Sequence, residues 1–174
     1  MRLTLVNGPV GELVSFKAAK LQCRVDHDDE DELIDMAIQS AISYLDGYRG
    51  ILGRCILTQT WRIELPRLGQ AFALPFPDIS TVTGDFTDAA AGAVDFATVD
   101  VGTRSTIRVR SGFGRPAAFE FTAGFGKPAD VPPAIRQAVL MLTAFFYRRR
   151  GDDAAGGIPP EIMEMLSPFV IRRV

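Results

Sequence analysis

Residues 131–150 read VPPAIRQAVLMLTAFFYRRR, and they predict the helix around which the rest of the chain must pack. Residues that precede a proline are disfavoured in the α region, so the predicted helix begins at Pro133 after an extended entry. From Ala138 to Tyr147 only Thr143 is polar, and a helix without a polar face needs cover on several sides. These ten residues are too few to cross a bilayer. The cover must therefore be protein, as it would be in a subunit of an assembly.

The composition is that of an ordinary globular domain, with 174 residues, 47% hydrophobic and 23% charged. The formal net charge of −2 argues against a dedicated nucleic-acid binder, which is usually strongly basic. Cys23 and Cys55 have neither zinc nor redox spacing, so we interpret them as small buried apolar residues of a reducing compartment. The N-terminus has no basic start followed by an apolar run. We therefore expect no secretory signal and a protein made in a cytoplasm.

Two helices are predicted before the middle of the chain. Ser15 is a suitable N-cap for a short first helix. A second helix starts at Asp28 or Asp29, where acidic side chains suit the positive end of the helix dipole. Gly50 and Gly53 end it. Its apolar residues recur at spacings of three and four, which predicts an amphipathic helix: Leu33, Ile34, Ala37, Ile38, Ala41, Ile42, Leu45 and Tyr48.

The apolar period then changes to two, which predicts antiparallel strands. Residues 57–65 alternate between apolar and polar side chains, with Trp61 on the apolar face as a core anchor. Residues 79–83 form a second, short strand. Residues 85–102 are small and polar, so we expect a loop or a weak hairpin at the edge of the sheet.

A hairpin is predicted further along the chain. Apolar residues alternate with Arg108 and Arg110 in residues 107–110, and residues 119–122 alternate in the same way. The glycine- and proline-rich segment between the two runs is typical of a turn. We expect these runs to pair, with Glu120 opposite or diagonal to one of the two arginines.

The chain closes with a last helix and a basic tail. A break rich in glycine and alanine covers residues 151–157, and Ile158-Pro159-Pro160 opens the helix. Pro168 interrupts that helix because proline lacks the amide and clashes with the preceding turn. Phe169, Val170 and Ile171 follow as an exposed apolar patch unless something covers them. We predict that this tail, which ends in Arg172, Arg173 and Val174, becomes ordered on a partner, and the alternative is that it packs on its own helices.

The sequence contains no set of residues that predicts a catalytic or metal-binding site. His27 is the only histidine and lies in an acidic run, so it fits a solvated turn better than a catalytic triad. The run from Asp26 to Glu32 lacks the glycine and the spacing of a calcium loop. The segments 112–116 and 124–128 do not lead directly into a helix, as a phosphate cradle does. We predict no catalytic residue, no cofactor and no metal site.

The run Arg148, Arg149 and Arg150 is the strongest functional candidate. One interpretation is a helix C-terminus at which cations complement the dipole. Three consecutive arginines point in three directions around a helix, however, and one capping role does not use them all. A contact with another subunit or with a nucleic-acid backbone is the other interpretation.

Several short segments spread over nearly the whole chain form a recognisable series. In chain order they are LQCRVD (21–26), EDELI (30–34), GR (53–54), LTQTW (57–61), LPFP (74–77), AGFG (123–126), VPPAI (131–135), YRRR (147–150) and the segment 158–173. In this order and spacing they resemble the head–tail connector (adaptor) proteins of tailed bacteriophages and gene transfer agents.

The resemblance implies a helical core with a β insertion, in a ring of about twelve copies beneath the portal protein. Such a ring extends the DNA channel, lets DNA pass without sequence recognition, and receives the next tail or stopper component. The resemblance implies no enzyme activity, no cofactor and no membrane partner. It also implies assembly in the host cytoplasm, followed by a place at the head–tail junction of a phage or phage-like particle.

We therefore expect an α+β chain that forms one connector domain over residues 1–174. A helical bundle would comprise residues 15–54 and 131–174, with an antiparallel β region at 55–130 and a partner-binding tail at 167–174. The candidate portal or subunit interface comprises Arg148, Arg149, Arg150, Phe169, Val170, Ile171, Arg172 and Arg173. Arg104, Arg108 and Arg110 are candidates for lining the DNA channel. The alternative function is a small nucleic-acid-binding module that uses the basic hairpin, with Arg104, Arg108, Arg110, Arg115 and Lys127.

Overall fold

A computed structural model describes residues 1–88, 92–101, 104–149 and 157–171. The chain divides into two compact units, and both are assembled from separate segments. The β unit comprises Met1–Val10 and Cys55–Gly126, and the helical unit comprises Gly11–Arg54 and Lys127–Val174. Helices and antiparallel sheets in one chain confirm the predicted α+β class. Among the described residues, no helix is long and apolar enough to cross a membrane.

The helical unit contains four helices: α1 (Phe16–Cys23), α2 (Asp31–Leu45), α3 (Pro133–Arg148) and α4 (Pro160–Leu166). Ser15 is the N-cap of α1, as predicted, and its Oγ accepts a hydrogen bond from the Ala18 amide at 3.2 Å. The predicted starts of α3 and α4 at prolines are also confirmed. α2 begins at Asp31, later than the predicted start at Asp28 or Asp29. It ends at Leu45, before the predicted stop at Gly50 and Gly53, because Asp46 already has an extended backbone.

Helix α3 is the element on which this unit is assembled. α1, α2 and α4 each pack against it. Its buried residues point in several directions around the helix: Ile135, Ala138, Val139, Leu142, Thr143, Ala144 and Tyr147. Thr143, the one polar residue of the apolar run, donates its hydroxyl hydrogen to the Val139 carbonyl at 2.8 Å. The other helices of the same chain therefore bury much of the apolar surface of α3.

The β unit contains two antiparallel sheets. The four-stranded sheet has the order β1-β2-β7-β4 and the three-stranded sheet has the order β3-β6-β5. Their strands are β1 (Arg2–Asn7), β2 (Gln59–Leu65), β3 (Ala71–Ala73), β4 (Ile79–Phe86), β5 (Phe96–Val101), β6 (Arg104–Val109) and β7 (Ala117–Ala123). β1, which the N-terminal sequence did not predict, forms one edge of the larger sheet.

The predicted hairpin between β6 and β7 is wrong, because the two strands belong to different sheets. β6 pairs with β5, which ends only at Val101 and lies within the segment expected to be a loop or weak hairpin. β7 pairs with β2 and β4, so Glu120 faces Arg62 and Thr83 rather than the arginines of β6. The short connection from β5 to β6 gives β6 a nearer partner than β7.

Aromatic side chains fill the core of the β unit. The Phe119 ring of β7 lies 5.0 Å from the Phe72 ring and 5.3 Å from the Phe96 ring, centroid to centroid, and both partners come from the smaller sheet. Trp61 packs against Phe76 at 5.2 Å, which confirms it as a core residue. Gly84 lies beside Phe119, where a Cβ atom would overlap the ring.

Candidate interaction surfaces

The basic end of α3 lies at the rim of a cleft in the helical unit. The Arg148 side chain is exposed, and the Arg149 guanidinium lies 4.5 Å from the centroid of the Phe145 ring. The Arg149 amide donates to the Phe145 carbonyl at 3.2 Å, which closes the helix. These two arginines therefore combine a helix-terminal position with exposed charge. Arg150 lies outside the described residues.

The cleft itself has a volume of about 310 Å³ and lies between α1, α3 and α4. Apolar side chains predominate in its lining and the two arginines border it. The lining residues are Gln22, Met141, Ala144, Phe145, Arg148, Arg149, Pro159 and Ile162. An apolar hollow with cationic side chains at its border suits an apolar group flanked by carboxylates.

The C-terminal segment folds back on the helical unit as far as it is described. Phe169, Val170 and Ile171 are half-buried, and the Ile171 amide donates to the Leu52 carbonyl at 2.9 Å. Gly53 has φ of 64°, and a Cβ atom there would lie 2.8 Å from the Ile171 carbonyl oxygen. The expected exposed apolar patch is therefore partly covered by its own unit. Arg172 and Arg173 lie outside the described residues.

The acidic run before α2 forms internal contacts. The Lys20 ammonium lies 2.7 Å from a carboxylate oxygen of Asp28 and 2.7 Å from one of Asp31. The hydrogen bond from Lys20 lowers the pKa of Asp28, and the hydrogen bonds to Asp28 and Asp31 raise the pKa of Lys20. The Tyr147 hydroxyl of α3 donates to the Glu30 carboxylate. These contacts join α1 and α3 to the start of α2.

A metal site is not assembled in the part of the chain that the structure describes. No group of three histidine, cysteine or acidic side chains within residues 1–88, 92–101, 104–149 and 157–171 is placed to hold an ion. His27 is half-exposed, with Nδ1 at 3.8 Å from Asp29. Cys23 and Cys55 are both buried, as predicted.

The smaller sheet presents basic residues on its outer face. Ile107 and Val109 of β6 are buried while Arg108 and Arg110 are exposed, which confirms the predicted alternation. Arg110 lies 3.3 Å from Asp95, and both side chains are well exposed. Arg108 faces Ala71 and Ala97 across its two neighbouring strands and has no ion pair within the described residues. β6 begins at Arg104, whose side chain lies outside the described part.

α2 carries exposed apolar side chains beside its buried face, which the sequence pattern did not predict. Leu33 and Tyr48, predicted to face the core, are 40% exposed each, and Met36 is 65% exposed. The buried face of α2 is formed instead by Ile34, Ala37, Ile38, Ala41 and Leu45. The spacing of Leu33, Met36 and Tyr44 was a visible signal, because positions 33, 36, 40 and 44 lie on one side of a helix and only Ser40 among them is polar.

Comparison with other proteins identifies the fold. No protein-family model and no curated protein matches the chain. Solved structures do match. A chain from the virion of a native gene transfer agent (GTA) particle has a TM-score of 0.80. Chains from the neck of an empty GTA particle, computed with C6 symmetry, and from the neck of a native GTA particle, computed with C12 symmetry, have TM-scores of 0.79 and 0.71.

These likenesses extend over the whole chain. In each comparison the alignment covers 100% of this chain and 97% of the other, at 24% sequence identity. The three TM-scores show that this chain shares its fold with chains of gene transfer agent particles.

Proposed function

We propose that this chain is a structural subunit of the neck of a phage-like particle. In this proposal it is a head–tail adaptor, a single connector domain over residues 1–174 with a helical bundle as its core. A ring of about twelve copies joins the portal to the tail and extends the DNA channel. The observation that supports it is the fold match over the full chain, at TM-scores of 0.71 and 0.79, with chains from two neck structures.

A ring fits the features of the helical unit. The two neck structures were computed with C6 and C12 symmetry, and cyclic assemblies of one chain need a head-to-tail interface between two different patches. The helical unit presents such different patches: a cleft bordered by Arg148 and Arg149, and the exposed stripe of α2.

The portal and the next tail or stopper component are the proposed protein partners. Arg148, Arg149 and Arg150 and the tail from Phe169 to Arg173 remain the proposed contacts with the portal or with a neighbouring subunit. Because Ile171 is hydrogen-bonded to Leu52, the tail would extend toward a partner from a fixed point. We propose a structural role without catalysis, in a protein assembled in the host cytoplasm and then held in the particle.

The basic face of the smaller sheet favours a channel lining over an independent nucleic-acid-binding module. Arg110 is paired with Asp95, and the Arg115 guanidinium lies 4.1 Å from the Phe86 ring centroid. Arg108 has no ion pair within the described residues, and the net charge of the chain is −2. A net negative chain in which Arg110 is already paired suits DNA that passes by, whereas tight binding needs several phosphate contacts at once.

Counting copies in assembled particles tests the proposal. Mass measurement of purified particles, with imaging of a labelled chain, should give about twelve copies at the head–tail junction. One or two copies per particle would contradict the ring.

The channel lining is tested in the same particles. Changing Arg108 and Arg110 together to alanine should leave the fold intact and alter DNA retention or ejection. Arg62→Ala, an exposed arginine near Glu64 on the larger sheet, is the matched control. Salt-dependent DNA binding by the purified chain, lost in the double variant, would favour the nucleic-acid-binding module instead.

A further inference from the structure

We infer that the cleft beside α3 binds the start of α2 from a second copy of this chain. We call the exposed residues Glu32, Leu33, Asp35 and Met36 the α2 knob. The inference rests on the proposed ring and specifies its repeating contact. It depends on two surfaces that complement each other in shape and charge.

The cleft offers the first surface. Its apolar lining includes Met141 and Phe145 of α3 and Ile162 of α4, within a volume of about 310 Å³. Arg148 at its border is exposed and has no ion pair within the described residues. The Arg149 guanidinium stacks on Phe145, so it is held in place beside the apolar lining.

The α2 knob offers the second surface. Met36 is 65% exposed and Leu33 is 40% exposed, although both lie on a helix whose main apolar face is already buried. Glu32 and Asp35 are exposed beside them and have no ion pair within the described residues. An exposed methionine and leucine flanked by two carboxylates match an apolar cleft flanked by two arginines.

Three of the acids that precede the knob are engaged within the chain. Lys20 binds Asp28 and Asp31, and Tyr147 binds Glu30. Glu32 and Asp35 follow them on α2 and, like Asp26 before the helix, form no ion pair within the described residues. Of these acids, Glu32 and Asp35 are the two that lie beside the exposed apolar side chains of α2.

A second copy is the partner that this arrangement fits. The knob belongs to α2 and the cleft to α1, α3 and α4, so one chain carries both halves of the contact. The knob remains exposed in its own chain and cannot fill its own cleft. A contact between two different patches of one chain repeats from copy to copy, which is how a cyclic ring closes.

Cross-linking in assembled particles tests the contact directly. Met36→Cys combined with Met141→Cys should give a ladder of cross-linked species with a short bifunctional maleimide. The native Cys23 and Cys55 are buried, so they should stay silent. Met36→Cys combined with Thr98→Cys, an exposed position on β5, is the matched control.

The results separate this inference from the proposed function. If the first pair gives no more cross-linking than the control in particles that hold about twelve copies, the contact is wrong and the ring stands. If particles hold one or two copies, both are wrong.

Charge exchange gives an independent test. Arg148→Glu alone should reduce incorporation into particles about tenfold, because it places a negative charge opposite the carboxylates of the knob. Adding Asp35→Arg should restore most of it, while Asp29→Arg, an exposed acid outside the knob, should restore none. A swap that rescues no better than the control would mean that Arg148 binds a different protein, and the inference would fail.

Discussion

The two units of this chain fill their cores in different ways. The helical unit uses small and aliphatic side chains, with Ala19, Ala41 and Ala138 fully buried where helices approach one another. The β unit uses rings, with Phe76, Phe119 and Phe121 almost completely buried. Where helices pack through alanine side chains, the packing is distributed over many small contacts. In the β unit, by contrast, each buried ring makes a large share of the contacts between the two sheets.

A single substitution should therefore lower the stability most at a buried ring of the β unit. The chain also supplies a separate optical reporter for each unit. Its only tryptophan, Trp61, lies in the β unit, and its three tyrosines, Tyr44, Tyr48 and Tyr147, lie in the helical unit. The unfolding of the two units can therefore be followed separately.

The largest expected effect is that of Phe119→Ala. This ring contacts Phe72 and Phe96 of the other sheet, so its removal should lower the free energy of unfolding of the β unit by about 3–5 kcal/mol. Denaturant unfolding followed by Trp61 fluorescence measures it. The matched control is Phe113→Ala, because Phe113 is 50% exposed and its loss should be nearly neutral. Equal losses of stability in the two variants would contradict the claim that buried rings carry the packing of the β unit.

Gly84→Ala should have a smaller effect on the same core. An added Cβ atom would overlap the Phe119 ring, and overpacking of this kind costs about 1–3 kcal/mol. Gly69→Ala is the matched control in the same unit, because its nearest neighbour would be 3.9 Å away. Trp61 fluorescence again measures the unfolding. An unchanged stability of Gly84→Ala would mean that the Phe119 ring can move to make room for the added methyl group.

In the helical unit, Tyr147→Phe should lower the free energy of unfolding because it removes a hydrogen bond, while the packing of the ring is kept. The substitution removes the hydroxyl that donates to Glu30 and keeps the ring, so we expect a loss of about 1–3 kcal/mol. Far-ultraviolet circular dichroism during denaturation measures it. Tyr44→Phe, at a side chain that is 39% exposed, is the control and should change little. Loss at Tyr44 as large as at Tyr147 would contradict this reading.

The smallest effect concerns Asp28 and Lys20 at the start of α2. Lys20 lowers the pKa of Asp28 below its ordinary value of 3.8, so this contribution to stability is present above that value and is lost as the pH falls through the lowered pKa. The pKa of Lys20 is raised above 10.5, so its contribution is lost only as the pH rises beyond that value.

Asp28→Asn should therefore lower the melting temperature slightly at neutral pH. The difference from the natural chain should disappear at pH values below the lowered pKa of Asp28, and it should shrink with added salt. Asp29→Asn is the control. A difference that persists unchanged in strong acid would show that the carboxylate charge is not its cause.

The helices could be predicted because their signals are local. The Ser15 cap and the proline starts of α3 and α4 depend on neighbours within a few residues. The strand partners could not, since β6 and β7 alternate as members of a hairpin do and yet pair in different sheets. Pairing depends on where aromatic side chains meet in space, and periodicity alone does not determine it.

The candidate surfaces were predictable to a similar degree. The sequence predicted the exposure of Arg108 and Arg110, because alternation fixes the face of a strand. It did not predict the cleft beside Arg148, which requires three helices to meet, or the anchoring of Ile171. It also assigned Leu33 to the buried face, because an amphipathic pattern does not reveal how wide the covered stripe is.

The hydrogen bond from Ile171 to Leu52 has a mechanical consequence. A partner that pulls on the last residues of this chain would load the loop after α2 as well as α4, since Gly53 lets the two backbones lie in direct contact. Tension at the C-terminus would therefore be shared between α4 and this hydrogen bond, which joins residues 119 positions apart in the chain. A bulkier residue at position 53 would remove the second anchor and leave α4 to resist the pull alone.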